Sequence, residues 1–361
     1  MIWQGNRLCD LLGIEVPLLQ APMAGSATPA LAAAVSNAGG LGGLGCGEMD
    51  AGRVLAAHGL LSAATNRPFN LNFFAHPAPA MDAARWQATA ARLAPFRDAL
   101  GLGPSPAQPP GIRGGFPCDM LDLMLDLAPR IVSFHCGLPG GDAVAQLRTA
   151  GVRVIASATC VAEARVLQDG GVDAIIAQGW EAGGHRGTFA RAAPEAGVGL
   201  MALLPQVVDA VQVPVIAAGG IADGRGIVAA LALGASGVQI GTAFLSCPEA
   251  ATASLHRAAL ASATDADTVP TAAFSGRTAR ARRSAYTDAM RDLPVGSLPD
   301  YPALYALTDP LEGAEDIARS QDHQFLLYGQ ATALNRALPA ADLMALLAAE
   351  TRAVLARLAG G

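Results

Sequence analysis

The sequence predicts an α/β fold, a (β/α)8 TIM barrel with a smaller helical lid domain. First, short runs of strand-forming residues alternate with alanine-rich helical runs, which is typical of βαβ units around a parallel sheet. Second, eight such strand runs follow one another along the chain. Third, the length of 361 residues accommodates a barrel of about 250 residues and an appended segment.

The predicted strands are short, and several are apolar on both faces. This is expected of strands that lie between a filled barrel interior and a layer of helices. They span residues 16–20, 41–44, 69–73, 131–134, 152–157, 174–177, 213–217 and 238–240.

Helix signals lie between these strands. Thr28 followed by Pro29 predicts an N-cap with proline at the first helical position, and Asp223 predicts a second N-cap. The predicted helices span residues 29–38, 142–150, 161–168 and 224–233. The segment 101–115 is rich in proline and glycine and predicts a long surface excursion.

After about Ser246 the strand runs stop and alanine-rich helical sequence follows. We therefore expect the barrel to cover residues 1–248 and a helical lid, or substrate domain, to cover residues 249–325. Residues 326–361 should then bring a last helix, 340–358, back to the barrel.

The hydrophobic content does not indicate a membrane protein. Hydrophobic residues make up 52% of the chain, but no stretch approaches the ~20 uncharged apolar residues of a membrane span. Arg7 and Asp10 interrupt the N-terminal segment where a signal peptide needs an apolar core. The sequence therefore predicts a soluble, cytoplasmic protein without membrane contact.

Charge and residue usage exclude several function classes. The net charge of −6 comes without acidic or basic blocks, so no nucleic-acid partner is expected. The six cysteines lie far apart and have no metal-ligand spacing, which indicates free thiols in a reducing compartment and no metal site. All 24 basic residues are arginine. The absence of lysine excludes Schiff-base aldolases, pyridoxal enzymes and P-loop hydrolases, which need an amine.

Glycine turns follow the last two predicted strands, where the residues of a parallel barrel face the ligand site. Gly219-Gly220 follows the seventh strand and precedes a helix, and Gly241-Thr242 follows the eighth. Such turns offer free N–H groups with no Cβ in the way, and a helix N-terminus aimed at an anion. Gly219-Gly220 alone could be a tight turn, but both turns together predict a phosphate site.

Amide side chains occur at three strand ends, at Asn72, Gln178 and Gln239. A single amide in such a place is more often a core polar group with its partners in the protein. Three on the same rim favour a ligand ring that carries N–H and C=O groups, as an isoalloxazine does.

Two histidines are candidates for chemistry. His185 lies in a glycine-rich loop that core packing would not require, and an imidazole there can donate a proton or accept one near neutral pH. His135 ends the fourth predicted strand, where a structural and a functional role both stay open. Surface positions are expected for the other four histidines, His58, His76, His256 and His323.

The motifs around these residues resemble a known family. They are QAPMAG at 20–25, NLNFFAH at 70–76, SFHCG at 133–137, QGWEAGGHRGTF at 178–189, AAGGIADGRG at 217–226, VQIGTAFL at 238–245 and YGQA at 328–331. In this order and at this spacing they resemble the motif series of nitronate monooxygenases, formerly called 2-nitropropane dioxygenases. The resemblance covers nearly the whole chain, and its most specific part is AGGHRG followed by AAGGI and QIGT.

The resemblance implies non-covalent FMN and oxidation of alkyl nitronates, chiefly propionate 3-nitronate, by molecular oxygen. It implies that His185 and His135 lie beside the substrate, and that FMN contacts Pro22, Met23, Asn72, Gln178, Gly183, Gly219, Gly220, Gln239, Ile240, Gly241, Thr242 and Gln330. Some relatives also place a tyrosine and a lysine of the lid over the flavin. This chain has no lysine, and either Tyr301 or Tyr305 could supply the tyrosine.

Two alternatives to a detoxifying monooxygenase remain at this stage. One is an NAD(P)H-dependent FMN reductase of quinones or enoyl thioesters in the same barrel superfamily, and the other is a flavin carrier without turnover. The expected partners are a small-molecule nitronate and O2. A homodimer is left open.

Overall fold

The computed structural model describes residues 3–80, 82–109, 111–112, 114–190 and 197–360. Within them the strands are β1 (Leu18–Gln20), β2 (Gly42–Gly45), β3 (Phe69–Phe74), β4 (Ile131–His135), β5 (Arg153–Ala158), β6 (Ala174–Gln178), β7 (Gly184–His185), β8 (Val215–Ala218), β9 (Gly237–Ile240), β10 (Thr268–Thr271) and β11 (Ala279–Arg282). The helices are α1 (Arg7–Leu12), α2 (Pro29–Asn37), α3 (Ala51–Ala64), α4 (Ala83–Ala99), α5 (Cys118–Leu127), α6 (Ala143–Thr149), α7 (Val161–Asp169), α8 (Leu200–Ala210), α9 (Gly224–Ala232), α10 (Thr242–Leu245), α11 (Ser254–Ser262), α12 (Ala285–Met290), α13 (Tyr305–Ala314) and α14 (Ala340–Ala359). Two 3-10 turns cover Val295–Ser297 and Thr332–Leu334.

Eight parallel strands form the barrel, in the order β1-β9-β8-β6-β5-β4-β3-β2. A bridge between Leu19 and Leu41 joins β1 to the start of β2 and closes the circle. All eight predicted strands are confirmed, with ends that differ by one or two residues from those expected. The predicted N-caps are also confirmed, because Thr28 accepts a hydrogen bond from the Leu31 N–H and Asp223 accepts from the N–H groups of α9.

The strand register brings the predicted site residues to one end of the barrel. Asn72 lies opposite Ser133, Gln178 opposite Ala218, and Ala218 opposite Gln239. Because all the strands are parallel, their carboxyl ends share this rim, where a ligand site is expected.

The opposite end of the barrel is closed by α1. Leu8 and Leu12 of this helix are buried in a cluster with inward-facing strand residues that include Leu19, Ile155 and Ile216. Asn6 anchors the helix by donating from Nδ2 to the Ser236 carbonyl, at the start of β9. The interior is therefore filled by side chains, as in other barrels of this size.

The segment after Ser246 is not purely helical, and that part of the prediction is wrong. Strands β10 and β11 lie in it, and β11 pairs antiparallel with β7 in a three-stranded sheet. Both strands are short, and β11 consists of alternating alanine and arginine, so no strand-forming run marks it in the sequence. This pairing ties the lid to the loop that carries His185.

The core of the lid also uses a helix from the barrel half of the sequence. Trp86 and Leu93 of α4 are fully buried with Phe274, Tyr286 and Leu304. The predicted domain boundaries at residues 248 and 325 stay a prediction. In the structure, the hydrophobic core of the lid contains residues from before residue 248 as well as after it. Between α4 and α5, the described residues of the predicted surface excursion form no helix or strand and are mostly exposed; Pro110 and Arg113 lie outside the described residues.

None of the described helices combines the length and the apolar character that crossing a membrane requires. The last helix, α14, instead contacts α2 and α9 on the outside of the barrel. Gly224 allows the close contact with α9, since a Cβ there would lie 2.5 Å from the backbone of Glu350 and Thr351.

Leu347→Ala should test how much α14 stabilises the barrel. Leu347 is fully buried in the main core, so its truncation should lower the free energy of unfolding by about 2–5 kcal/mol. Leu358, in the same helix, is 65% exposed, and Leu358→Ala should change the free energy by less than ~0.5 kcal/mol. Urea denaturation followed by circular dichroism measures both, and a loss for Leu347→Ala as small as that expected for Leu358→Ala would contradict the contribution of α14 to the core.

Candidate active site

A cavity of about 310 Å³ opens at the carboxyl ends of the barrel strands. Most of the predicted site residues line it, namely Pro22, Met23, Asn72, His135, Gln178, Gly183, His185, Gly219, Gly220, Gln239, Gly241 and Thr242. Two do not. Ile240 is buried in the core between the barrel and its helices, and the Gln330 side chain is exposed, while its neighbours Gly329 and Ala331 line the cavity.

The turn after β8 has the backbone that the sequence predicted for an anion site. Gly219 and Gly220 have φ angles of +111° and +69°, which favour glycine. A Cβ on Gly219 would lie 3.0 Å from the Ala182 nitrogen. The N–H groups of both glycines donate no hydrogen bond within the described part of the chain, so they are free for a ligand.

The N-terminus of α9 does not face an anion, and this expectation is wrong. The Asp223 carboxylate accepts from the N–H groups of Arg225 and Gly226 at 2.9 and 3.3 Å. The Glu350 carboxylate accepts from the Gly224 N–H at 3.1 Å. Two side-chain carboxylates thus occupy the positive end of the helix, which leaves the glycine turns as the candidate phosphate cradle.

The three strand-end amides differ in the number of hydrogen bonds that their side chains already form within the protein. Gln178 donates to the His185 carbonyl at 3.0 Å and accepts from the Gly187 N–H at 2.8 Å. Asn72 donates to the Ser133 hydroxyl at 2.8 Å. Gln239 forms no side-chain hydrogen bond with any described residue, so its whole amide is available to a ligand.

His185 lies on β7 in the cavity wall. Its Nε2 is 3.0 Å from the Ser275 hydroxyl and 3.5 Å from the Tyr305 hydroxyl. Ser275 donates its single proton to the Arg277 carbonyl at 3.0 Å, so we assign the proton between His185 and Ser275 to Nε2. Burial lowers the pKa of His185 to about 3, with smaller contributions from His135 and Arg277. The imidazole is therefore neutral at pH 7.

His135 also lines the cavity, and its ring supports the loop of His185. Its Nε2 lies 3.0 Å from the His185 carbonyl, which can only accept, so the imidazole donates. Burial lowers the pKa of His135 to about 4, so this ring is neutral as well. The two histidines therefore share a backbone contact and not a direct hydrogen bond between rings.

Aromatic side chains surround the His185 ring. Tyr305 and Phe325 line the cavity, and the Phe325 ring centre is 5.9 Å from that of His185. Tyr301 packs at 5.1 Å from His185 and 4.9 Å from His76, and it does not line the cavity. Of the two lid tyrosines considered from the sequence, Tyr305 is thus the one with its hydroxyl at the cavity.

Three of the histidines expected at the surface lie elsewhere. The His323 side chain is only 12% exposed, and its Nδ1 lies 3.0 Å from the Glu315 carboxylate. His76 is buried, at 8% exposure, against Tyr301, and His256 lines the cavity. His76 follows the motif at the end of β3, so its position after a strand was a usable signal. His256 and the further lining residues Glu48 and Asn335 lie in helical or irregular segments, where no strand end marks them.

The chain is similar to known proteins over nearly its whole length. The family model described as "Nitronate monooxygenase" matches residues 5–350. The chain belongs to the nitronate monooxygenase family. It is 45% identical to a nitronate monooxygenase of Paraburkholderia phytofirmans, over 96% of each chain, and 42% identical to one of Pseudomonas aeruginosa, over 96% of this chain and 99% of that one.

Solved structures are similar to the chain over nearly its whole length. A nitroalkane oxidase from Streptomyces ansochromogenes superposes with a TM-score of 0.88 at 38% identity, covering 97% of this chain and 99% of the other. FabK from Thermotoga maritima superposes with a TM-score of 0.72 at 28% identity, covering 98% of each chain. As a nitronate monooxygenase family member, the chain is a flavin-dependent oxidoreductase.

The cavity residues fit a flavin. Buried atoms without a partner among the described residues include Nε2 of His256 and Oδ1 of Asn335, and both residues line the cavity. Asn335 donates from Nδ2 to the Thr242 carbonyl at 3.0 Å, which leaves its Oδ1 as an acceptor next to the glycine turns. A buried acceptor without a donor is costly, and the ribityl hydroxyls of a flavin are donors that would satisfy it.

Gly220→Val should remove the flavin from a folded protein. A built Cβ lies only 3.3 Å from the Glu181 side chain, at a φ of +69° that valine disfavours, so the branched side chain should displace the turn that carries the free N–H groups. Gly141→Val is the matched control, because Gly141 has a similar φ of +67° and nothing within 4 Å of a built Cβ. The flavin absorbance of the purified variants measures how much cofactor each one holds. Full flavin content in Gly220→Val would show that the phosphate binds elsewhere.

Proposed function

We propose that this protein oxidises alkyl nitronates with molecular oxygen, in the cytoplasm, using non-covalent FMN. The observation that carries the proposal is a neutral histidine, His185, that meets the Tyr305 hydroxyl in the wall of a flavin-sized barrel cavity. The family and the relatives named nitronate monooxygenase support the reaction type. Six free cysteines support a reducing compartment. A homodimer is retained as the assembly to test by analytical ultracentrifugation.

FMN is favoured over FAD by the shape of the binding end. The turns at Gly219-Gly220 and Gly241-Thr242 lie side by side and form one cradle, which suits one phosphate. The Gln239 amide and the Oδ1 atom of Asn72 remain available on the strand ends for the polar atoms of the ring system. Asn335 and His256 would contact the ribityl arm that connects the ring to the phosphate.

A nitronate arrives as an anion, so the protein need not remove a carbon-bound proton. The flavin, when bound, supplies the electron acceptor for the nitronate, and O2 is the final oxidant. His185 is poorly suited to act as a base, because a group with a pKa of about 3 binds a proton weakly at pH 7. The Tyr305 hydroxyl, 3.5 Å from the neutral His185 ring, instead offers a hydrogen-bond donor that orients the nitronate oxygens.

The reductase alternative has less support. FabK shares the barrel but is less similar in both structure and sequence than the nitroalkane oxidase. A reductase must also admit a nicotinamide to the flavin. Anaerobic addition of NADH tests this alternative, because rapid bleaching of the flavin would indicate the reductase and a stable yellow colour would exclude it.

The purified protein should be yellow and should release FMN on denaturation. It should consume O2 when an alkyl nitronate is added under air, and lose its flavin absorbance when the same nitronate is added under nitrogen. Chromatography of the released flavin and an oxygen electrode make these measurements. Release of FAD would contradict the cofactor assignment, and a fully loaded protein that is inert to every nitronate would contradict the activity.

His185→Asn should raise KM for every nitronate by about tenfold or more, with a smaller change in kcat. Asparagine keeps a donor of similar reach but loses the contacts of the ring with Tyr305 and Ser275. Activity of the wild type on neutral nitroalkanes should be slight from the start.

His58→Asn is the matched control for this variant, since His58 packs on Phe69 outside the cavity. A selective loss of ~10²-fold on neutral nitroalkanes, with nitronates unaffected, would instead show that His185 acts as a base. Wild-type kinetics of His185→Asn on all substrates would remove His185 from the reacting centre.

A further inference from the structure

The Nε2 atom of His185 has its hydrogen-bond partner in the lid. It lies 3.0 Å from the hydroxyl oxygen of Ser275, which is fully buried. The same oxygen lies 3.0 Å from the Arg277 carbonyl, to which no other described group donates. Because a serine hydroxyl has a single proton and a carbonyl can only accept, that proton belongs to the contact with Arg277. The Ser275 oxygen then accepts from Nε2, which carries the imidazole proton.

The turn that carries the Ser275 hydroxyl is held firmly by its surroundings. Gly276 has a φ of +81°, and a Cβ there would overlap the Pro299 carbonyl oxygen. On the other side of the serine, the Phe274 carbonyl accepts from the Thr308 hydroxyl at 2.7 Å. The acceptor for the Nε2 proton is therefore fixed in place by the lid.

The second ring nitrogen of His185, Nδ1, faces the cavity. It has no hydrogen-bond partner among the described residues, and it is not one of the buried atoms that lack a partner, so it is open to the cavity that His185 lines. A neutral imidazole has one N–H group, so a proton on Nε2 makes Nδ1 an acceptor.

The Tyr305 hydroxyl lies beside this ring, 3.5 Å from Nε2, and Tyr305 lines the same cavity. A protonated Nε2 cannot accept from the hydroxyl, which is therefore free to donate into the cavity. Nδ1 is only two bonds away from Nε2 in the imidazole ring. A molecule bound at this wall thus meets one donor, at Tyr305, and one acceptor, at His185, next to each other.

We propose that Ser275 is a positioning residue, which fixes the Nε2–H tautomer of His185 and thereby sets the direction in which a nitronate binds. The lone pair of Nδ1 repels the nitronate oxygens, whereas the Tyr305 hydroxyl donates to them, so the oxygens bind at Tyr305. This role rests on the proposed nitronate oxidation. It adds to that function a residue that does not itself line the cavity.

Loss of the Ser275 hydroxyl should release the second tautomer. The Nε2 proton would then be a buried donor without an acceptor, which is costly, so part of the molecules should carry the proton on Nδ1 instead. An N–H group at Nδ1 is a second donor for the nitronate oxygens. It would let the substrate bind in a second orientation that does not react.

Nitrogen-15 NMR of the flavin-loaded protein, with labelled histidine, observes the tautomer directly. The wild type should carry the His185 proton on Nε2 and none on Nδ1 at pH 7, and the loss of signals in His185→Asn identifies this residue. Ser275→Ala should show a substantial fraction with a proton on Nδ1. Ser275→Thr keeps a hydroxyl and should return the ring to the wild-type tautomer.

Steady-state kinetics with an alkyl nitronate test the consequence for binding. Ser275→Ala should lower kcat about fivefold, the scale of one hydrogen bond, and should not raise KM. Binding in two orientations removes reacting complexes without weakening binding, whereas a merely structural loosening of the site would raise KM. Ser275→Thr should recover most of the lost kcat.

Ser36→Ala is the matched control. Ser36 is also fully buried, donates to the Pro68 carbonyl at 2.8 Å and accepts from the Gly42 N–H at 3.1 Å. It lies near the start of β2, outside the cavity lining and at the end of the barrel opposite to it. Its loss should leave both the His185 tautomer and kcat unchanged.

Four results would overturn the proposal: a wild-type His185 proton on Nδ1, an unchanged tautomer in Ser275→Ala, a raised KM with an unchanged kcat in that variant, or the same changes in Ser36→Ala. The tautomer is measured without substrate, so it fails or holds independently of turnover. A flavin-loaded wild type with the expected tautomer that is inert to every nitronate would instead overturn the proposed function.

Discussion

The carbonyl oxygen of His185 is the point on which the site depends. It accepts from the Gln178 amide and from the His135 imidazole, each at 3.0 Å. Gln178 and His135 end two different barrel strands, so the loop after β6 is attached to the rim at two places. Net hydrogen-bond contributions are only about 1 kcal/mol each, but Gln178 is buried and His135 is partly buried, so both donors would lose their partner if the loop moved. The imidazole of His185 is thereby held at one position in the cavity wall.

The lid completes this attachment from the outside. Strand β11 pairs with β7, with Ala279 opposite His185. Ser275 and Arg277, just before β11, then contact the His185 ring and the loop backbone. The barrel therefore fixes the backbone of this histidine, while the lid fixes its ring and sets the charge around it. The low pKa of the ring follows, because the ring is buried and Arg277 adds a positive charge nearby.

The parts of the fold that sequence could predict are those with local causes. The eight strands, the caps at Thr28 and Asp223 and the glycine turns all have signals within a few residues. The pairing of β11 with β7 has none, because it joins residues about ninety positions apart and neither strand is rich in β-forming residues. The positions of Ser275, Arg277 and Glu48 at the site follow from that pairing and from the barrel, so they could not be found from spacing. The wrong expectation that the N-terminus of α9 faces an anion also has a non-local cause. The Glu350 carboxylate, which accepts from the Gly224 N–H there, comes from the last helix.

The C-terminal segment closes one side of the cavity, and this has a consequence for biosynthesis. Gly183 packs so closely on Tyr328 and Gly329 that a Cβ would lie 2.5 Å from their backbone. Leu327, Gly329, Ala331 and Asn335 all line the cavity, and Thr242 accepts from the Gly329 N–H. All eight barrel strands are translated about ninety residues before this wall exists. A ribosome-bound chain can therefore assemble its barrel early, but a complete pocket for the flavin forms only after residue 335 has left the exit tunnel, so cofactor loading follows the assembly of the barrel.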